Sequence, residues 1–224
     1  MIDVVSATRL PEDRFWSESA LGQSLRRLAF DLRLRPRISF ENRRGLPEVY
    51  NAALAAPDCA PSVVFVHDDV WLDDHFFAAR ILDGLQAFDI IGLAGNRRCP
   101  PGHVGWGVIG ESLAWDDLAH LTGIIAHGMH PCGPVSCFGA VPAECELLDG
   151  VLLAANAQAL RDKAVRFDPQ FDFHFYDLDF CRAARRAGLR LGTWPVAVTH
   201  QSGGAFGSPQ WSQLLRAYQQ KWGV

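Results

Sequence analysis

The run Ser62-Val63-Val64-Phe65-Val66 constrains this chain more than any other feature. After its first residue it is wholly apolar, β-branched or aromatic, with no polar alternation, so it predicts a strand buried on both faces. Such strands belong to sheets that carry helices on both sides. The run stops abruptly at His67-Asp68-Asp69. Two adjacent acids at the C-terminal end of a buried parallel strand stand where open α/β sheets bind their ligands.

The neighbouring segments extend the pattern. Ile2 to Ser6 reads as a first buried strand, and Ser17 to Leu34 as a helix with Leu21, Leu25, Leu28, Ala29 and Leu32 on one stripe and Ser17 or Ser19 as its cap. Arg37 to Phe40 follows as a strand, and Leu46 to Leu54 as a helix with Pro47 in its first turn. Asp73 to Leu85 predicts a helix, Asp89 to Ala94 a strand, Asp177 to Ala187 a helix and Arg190 to Val198 a last strand ending in Thr199-His200. The order βαβαβαβ predicts a mainly parallel, Rossmann-like α/β sheet flanked by helices. Residues 1–224 are read as one domain, with a helical tail over 207–224. From Gly95 to Gly139, Gly, Pro, His and Trp replace any clear period, which predicts a loop-rich cover over an active site.

A formal charge of −4 gives no basic footprint, so nucleic acid is excluded as the main partner. No stretch approaches the ~20 apolar residues of a spanning helix. Met1-Ile2-Asp3 lacks the basic start of a signal peptide, and the chain is expected in the cytoplasm. The six cysteines form no C-x-x-C pair and read as reduced thiols. Cys132, Cys137 and Cys145 with His127 or His130 form a looser alternative metal set.

Four places carry candidate chemistry. Asp68 and Asp69 either ligate Mg²⁺ or Mn²⁺ through carboxylate oxygens or cap the helix that follows. His200 ends another apolar strand, and imidazole is an acceptable Mn²⁺ ligand beside carboxylates. Asp149-Gly150 interrupts the apolar run Leu147 to Leu153, either as a turn or as an acid facing a cavity. Asp177 and Asp179 follow Phe173-His174-Phe175-Tyr176, where both suit the start of a helix and either can serve as a general base.

In this order the segments resemble a family 2-type glycosyltransferase of the GT-A fold, in the bacterial glycosyltransferase-like branch. Glu41 to Ala53 resembles the segment after the second strand, and Phe65-Val66-His67-Asp68-Asp69-Val70 a version of the DXD metal motif. Leu148-Asp149-Gly150-Val151 resembles the acceptor-side strand, Phe167 to Gly188 the segment of the catalytic base, and Val198-Thr199-His200 the late histidine. The resemblance spans residue 1 to about residue 206. It implies that Asp69 and His200 hold Mn²⁺ or Mg²⁺, and that Ser6, Thr8, Glu41, Asn42 and Asp68 hold the nucleotide of a nucleoside-diphosphate sugar, UDP-sugar being favoured. Asp149 would line the meeting point of donor and acceptor, and Asp177, with Asp179 as the alternative, would be the base of an inverting transfer to a glycan, lipid-linked or protein acceptor. The acid that usually precedes the base is Tyr176 here. A non-catalytic nucleotide-sugar or glycan-binding domain is the alternative reading. A nucleotidyltransferase is disfavoured, since Ser6-Ala7-Thr8-Arg9 has no glycine-rich loop.

Overall fold

The computed structural model describes residues 1–224 except Glu111, Gly204, Ala205 and Val224. A seven-stranded sheet runs, edge to edge, through Ala143–Cys145, Leu191–Thr193, Ile90–Gly92, Leu152–Asn156, Ser62–Val66, Ile2–Ala7 and Leu34–Ser39. Ile2–Ala7 pairs in parallel with both Leu34–Ser39 and Ser62–Val66, and Leu191–Thr193 in parallel with Ile90–Gly92. Leu152–Asn156 lies antiparallel between Ser62–Val66 and Ile90–Gly92, and Ala143–Cys145 is antiparallel at the edge. The sheet is therefore mainly parallel, with two reversed strands.

Ser62–Val66 is buried at every position. Val63 and Phe65 join one core, with Tyr50, Leu160, Phe167, Phe180 and Tyr218; Val64 and Val66 join the other, with Phe15, Leu21, Phe77 and Ile81. Helices Leu46–Ala55, Tyr176–Arg186 and Pro209–Trp222 thus cover one face, and Glu12–Glu18, Ala20–Arg27 and Phe77–Ala87 the other. The helix expected from Ser17 to Leu34 is shorter and broken. Ser19 caps its second part by accepting from the Gly22 N–H at 2.9 Å, and the helix ends at Arg27. Leu32, expected on the buried stripe, is 84% exposed.

The largest departure lies within 95–139. Leu121–His127 and Val135–Gly139 are strands, and a second sheet runs Leu147–Leu148, Ala94–Asn96, Leu121–His127, Val198–His200, Val70–Leu72, with Val135–Gly139 paired to Leu121–His127. Glycine hides this in the sequence. At Gly123, φ is 121° and a Cβ would stand 2.4 Å from the Leu93 carbonyl oxygen, so a close backbone approach excludes any other residue. Between Ala94–Asn96 and Leu121–His127, Val108–Ile109 pairs antiparallel with Ala114–Trp115, and Leu118–His120 is a short 3-10 turn. No helix among the described residues is long and apolar enough to cross a membrane.

Candidate active site

The C-terminal ends of Ile2–Ala7, Ser62–Val66 and Val198–His200, the turn before Leu152–Asn156 and the start of Tyr176–Arg186 meet around a cavity of about 590 Å³. Ala7, His67, Asp68, Asp69, Asp149, Gly150, Tyr176, Asp177 and His200 line it. Trp106, Trp115 and Phe138 form its aromatic wall, their ring centroids 5.0 to 5.8 Å apart. Among the described residues no lysine or arginine lines it.

On one side His67, Asp69 and His200 bring one ligand atom each within 4.8 Å of one another, the one group of metal-holding geometry among the described residues. His67 follows the last residue of Ser62–Val66, and Asp69 lies in the turn that leads into Val70–Leu72. The Asp69 Oδ1 atom is buried and accepts no hydrogen bond, although His200 Nε2 is 3.3 Å away. Burial opposes ionisation of Asp69, yet His200, the charge of His67 and Ser202 outweigh it and hold the carboxyl down at about 2. A buried carboxylate oxygen without a donor, beside two imidazoles, fits a divalent cation. The looser cysteine set does not assemble: Cys132 and Cys137 are exposed and Cys145 is buried. Asp68 lines the same cavity, its carboxyl pushed up by burial.

On the other side the Leu147–Leu153 run breaks at Asp149 in an Asx turn, the Val151 N–H donating to Asp149 Oδ1 at 2.9 Å. The residue is both a turn and a cavity-lining acid. Gly150 donates its N–H to Asp177 Oδ2 at 2.9 Å, and its carbonyl accepts from the Tyr176 hydroxyl at 2.8 Å. Any Cβ on Gly150 would lie 2.6 Å from that hydroxyl and 2.8 Å from Asp177 Cβ. Phe175 caps the helix in the left-handed region at φ 66°, an unusual place for a bulky residue. Its ring is held between Trp211 at 5.6 Å and Tyr218 at 5.4 Å, so the C-terminal helix supports the turn that presents Asp177. Burial, then the charge of Asp149, pushes the Asp177 carboxyl up to about 7 despite backbone N–H bonds to it.

The other expected residues divide. Asp179 is fully buried away from the cavity, 2.7 Å from Lys221 Nζ and accepting from Trp222 Nε1 at 2.8 Å. Two positions apart on a helix, Asp177 and Asp179 face nearly opposite ways, so Asp179 is a clamp on the C-terminal helix. Thr8, Glu41 and Asn42 gather at the ends of the first two strands, where the Asn42 N–H donates to the Thr8 carbonyl at 2.8 Å and Glu41 N–H to that of Leu10 at 3.0 Å. They stand beside the cavity rather than in its wall. Ser6 is fully buried with its hydroxyl unpaired. Gly204, the end of the small-residue loop after His200, lies outside the described residues. Sequence reasoning passed over His67 as a ligand and over the wall residues Phe138 and Phe206. The adjacency of His67 to the two acids just past a buried strand was the available signal.

No family model and no curated protein matches the sequence. Solved structures do match. The catalytic domain of Drosophila beta1,4galactosyltransferase 7, in complex with xylobiose, superposes with a TM-score of 0.50 at 10% identity over 96% of this chain and 79% of that one. GalNAc-T7 with UDP, GalNAc and Mn²⁺ superposes with a TM-score of 0.53 at 11% identity over 98% of this chain. This chain spans about half of it, 48%. The fold implied by the sequence resemblance is the one observed: the chain has the fold of the GT-A glycosyltransferases.

Proposed function

We propose that the protein is a metal-dependent, inverting glycosyltransferase that moves a sugar from a nucleoside-diphosphate sugar to an acceptor hydroxyl. The observation that carries this reading is the placement, in one cavity of a GT-A fold, of the His67–Asp69–His200 group and of Asp177 beside Asp149.

The charge balance of the cavity supports metal dependence. Among the described residues four aspartates line it and no lysine or arginine does, so a diphosphate entering alone meets only repulsion apart from the histidines. His67, Asp69 and His200 would hold Mn²⁺ or Mg²⁺, which supplies Lewis-acid neutralisation of the leaving diphosphate. Asp68 lies beside these ligands, and Thr8, Glu41 and Asn42 at the strand ends are placed to meet the nucleoside. Asp177 accepts the proton of the acceptor hydroxyl as its oxygen attacks the anomeric carbon; a carboxyl near 7 is suited to that task at neutral pH. Asp149 raises the basicity of Asp177 by its charge and keeps the cavity floor anionic. Trp106, Trp115 and Phe138 offer apolar faces to sugar rings and exclude water. The same lack of cations favours a neutral saccharide hydroxyl as acceptor over a phosphorylated one.

A thermal-shift panel of UDP, GDP, CMP and dTDP, each with and without Mn²⁺, tests the donor site on wild type and Asp69→Ala. One nucleotide should raise the melting temperature only with Mn²⁺ and only in wild type. Ligand at about 100 times its Kd adds about 2.7 kcal/mol, well within reach of the assay. No shift with any nucleotide at millimolar concentration in a folded sample would refute the reading.

A further inference from the structure

Tyr176 stands where the family resemblance calls for an acid, and its hydroxyl has a single proton to place. It donates to the Gly150 carbonyl at 2.8 Å. His67 Nε2 lies 2.9 Å from the same oxygen. With the tyrosine proton committed to Gly150, the contact to His67 forms only when Nε2 carries hydrogen and donates. In a neutral ring Nδ1 then holds the lone pair that a cation requires. Tyr176 itself is nearly fully buried, packed against Tyr50 and Phe167 at ring-centroid distances of 6.0 and 6.1 Å, so its oxygen is held between Gly150 and His67. Gly150 is in turn fastened to Asp177 through its N–H. One hydroxyl thereby touches both halves of the cavity.

We infer that Tyr176 is a positioning residue: it fixes His67 as the Nε2–H tautomer, with Nδ1 as the metal-ligating nitrogen, and holds Gly150 so that the site of the cation and the carboxyl of Asp177 keep a common frame. The inference rests on the proposed metal-dependent reading and adds to it a role for the residue that replaces the usual acid. An acid at this position would offer no proton to the Gly150 carbonyl when ionised and would repel Asp177; the phenol supplies the proton without adding charge. Partners of this kind, which orient a metal-ligating histidine through its other nitrogen, typically change metal affinity 10- to 100-fold.

Two measurements on the full chain test it. In metal-free wild-type protein, long-range ¹H–¹⁵N correlation of the His67 ring should show Nε2 protonated and Nδ1 unprotonated, assigned by loss of the signals in His67→Gln. Isothermal titration with Mn²⁺ alone should show binding weakened about 10- to 100-fold in Tyr176→Phe, which keeps the packed ring, and abolished in Asp69→Ala. Wild-type His67 protonated on Nδ1, or Mn²⁺ binding in Tyr176→Phe equal to or tighter than wild type, would overturn the inference. Absence of Mn²⁺ binding in wild type would instead sink the metal-dependent reading, while the tautomer measurement would still decide whether Tyr176 sets the ring.

Discussion

Replacing Asp177 with asparagine should inactivate the protein and stabilise it, by an amount that depends on pH. The amide keeps the shape of the side chain and an oxygen to accept the Gly150 N–H, but never ionises. The native carboxyl titrates at about 7, against an ordinary value of 3.8. The folded state therefore holds its proton longer than the unfolded state, and between these two values stability falls as pH rises. The shift is roughly 3 units, and at 1.36 kcal/mol per unit the full cost is about 4 kcal/mol above pH 7. At pH 5 only about one unit has accrued, roughly 1.5 kcal/mol. Urea unfolding of wild type and Asp177→Asn at pH 5 and pH 8 should thus show a gain from the substitution that rises roughly two- to threefold over this range, with unchanged m-values. The activity of wild type should rise with pH through about 7 and level off, since the base must be ionised to work. A stabilisation that does not change with pH, or a variant less stable than wild type at pH 8, would refute the placement of Asp177 as a buried acid of raised basicity.

Other substitutions separate the remaining roles. Asp179→Asn should leave kcat and KM near wild type but cost about 1–3 kcal/mol in urea unfolding, because Lys221 and Trp222 Nε1 lose a buried charged partner. Gly150→Ala should lower kcat at least 10²-fold and also weaken the metal-dependent nucleotide shift, since its methyl group drives into Asp177 and into the Tyr176 hydroxyl that contacts His67; steady-state kinetics beside the thermal panel shows this. Phe65→Ala, at a fully buried position packed on Tyr50 and Phe167, should cost about 3–5 kcal/mol by chemical denaturation. Chelation by EDTA should abolish transfer and Mn²⁺ should restore it, given a cavity without lysine or arginine among the described residues.

The parts of the fold that were legible in the sequence are those in which burial alone sets the pattern. Ser62–Val66 reads directly because both of its faces meet hydrophobic cores. Leu46–Ala55 reads because Pro47 and its apolar spacing agree. The overlong helix at Ser17 to Leu34 arose because Leu32 prolongs a helical period that the chain has already left at Arg27. In the second sheet, Gly95, Gly123 and Gly139 each sit where a Cβ would strike backbone, so strand residues carried the composition of loops. Asp69, His200, Asp149 and Asp177 meet in the cavity as the motif order suggested. Asp177 and Asp179 could not be separated in the sequence, because only the folded helix shows the first acid at the cavity and the second turned onto Lys221. Ser6 could not be placed from its position after the first strand, because whether its side chain meets the core or the cavity depends on the packing of strands distant in sequence.

The central claim is that this cavity turns over a nucleoside-diphosphate sugar with Asp177 as base. Its most direct test follows the anomeric proton of the donor sugar by NMR, with Mn²⁺, a neutral oligosaccharide acceptor and either wild type or Asp177→Asn. Wild type should consume the donor and yield a product of inverted anomeric configuration, and the variant should bind the donor with wild-type affinity and leave it intact. Donor binding in both proteins with turnover in neither would contradict the claim and leave a binding domain; retained configuration, or full turnover by Asp177→Asn, would contradict the mechanism.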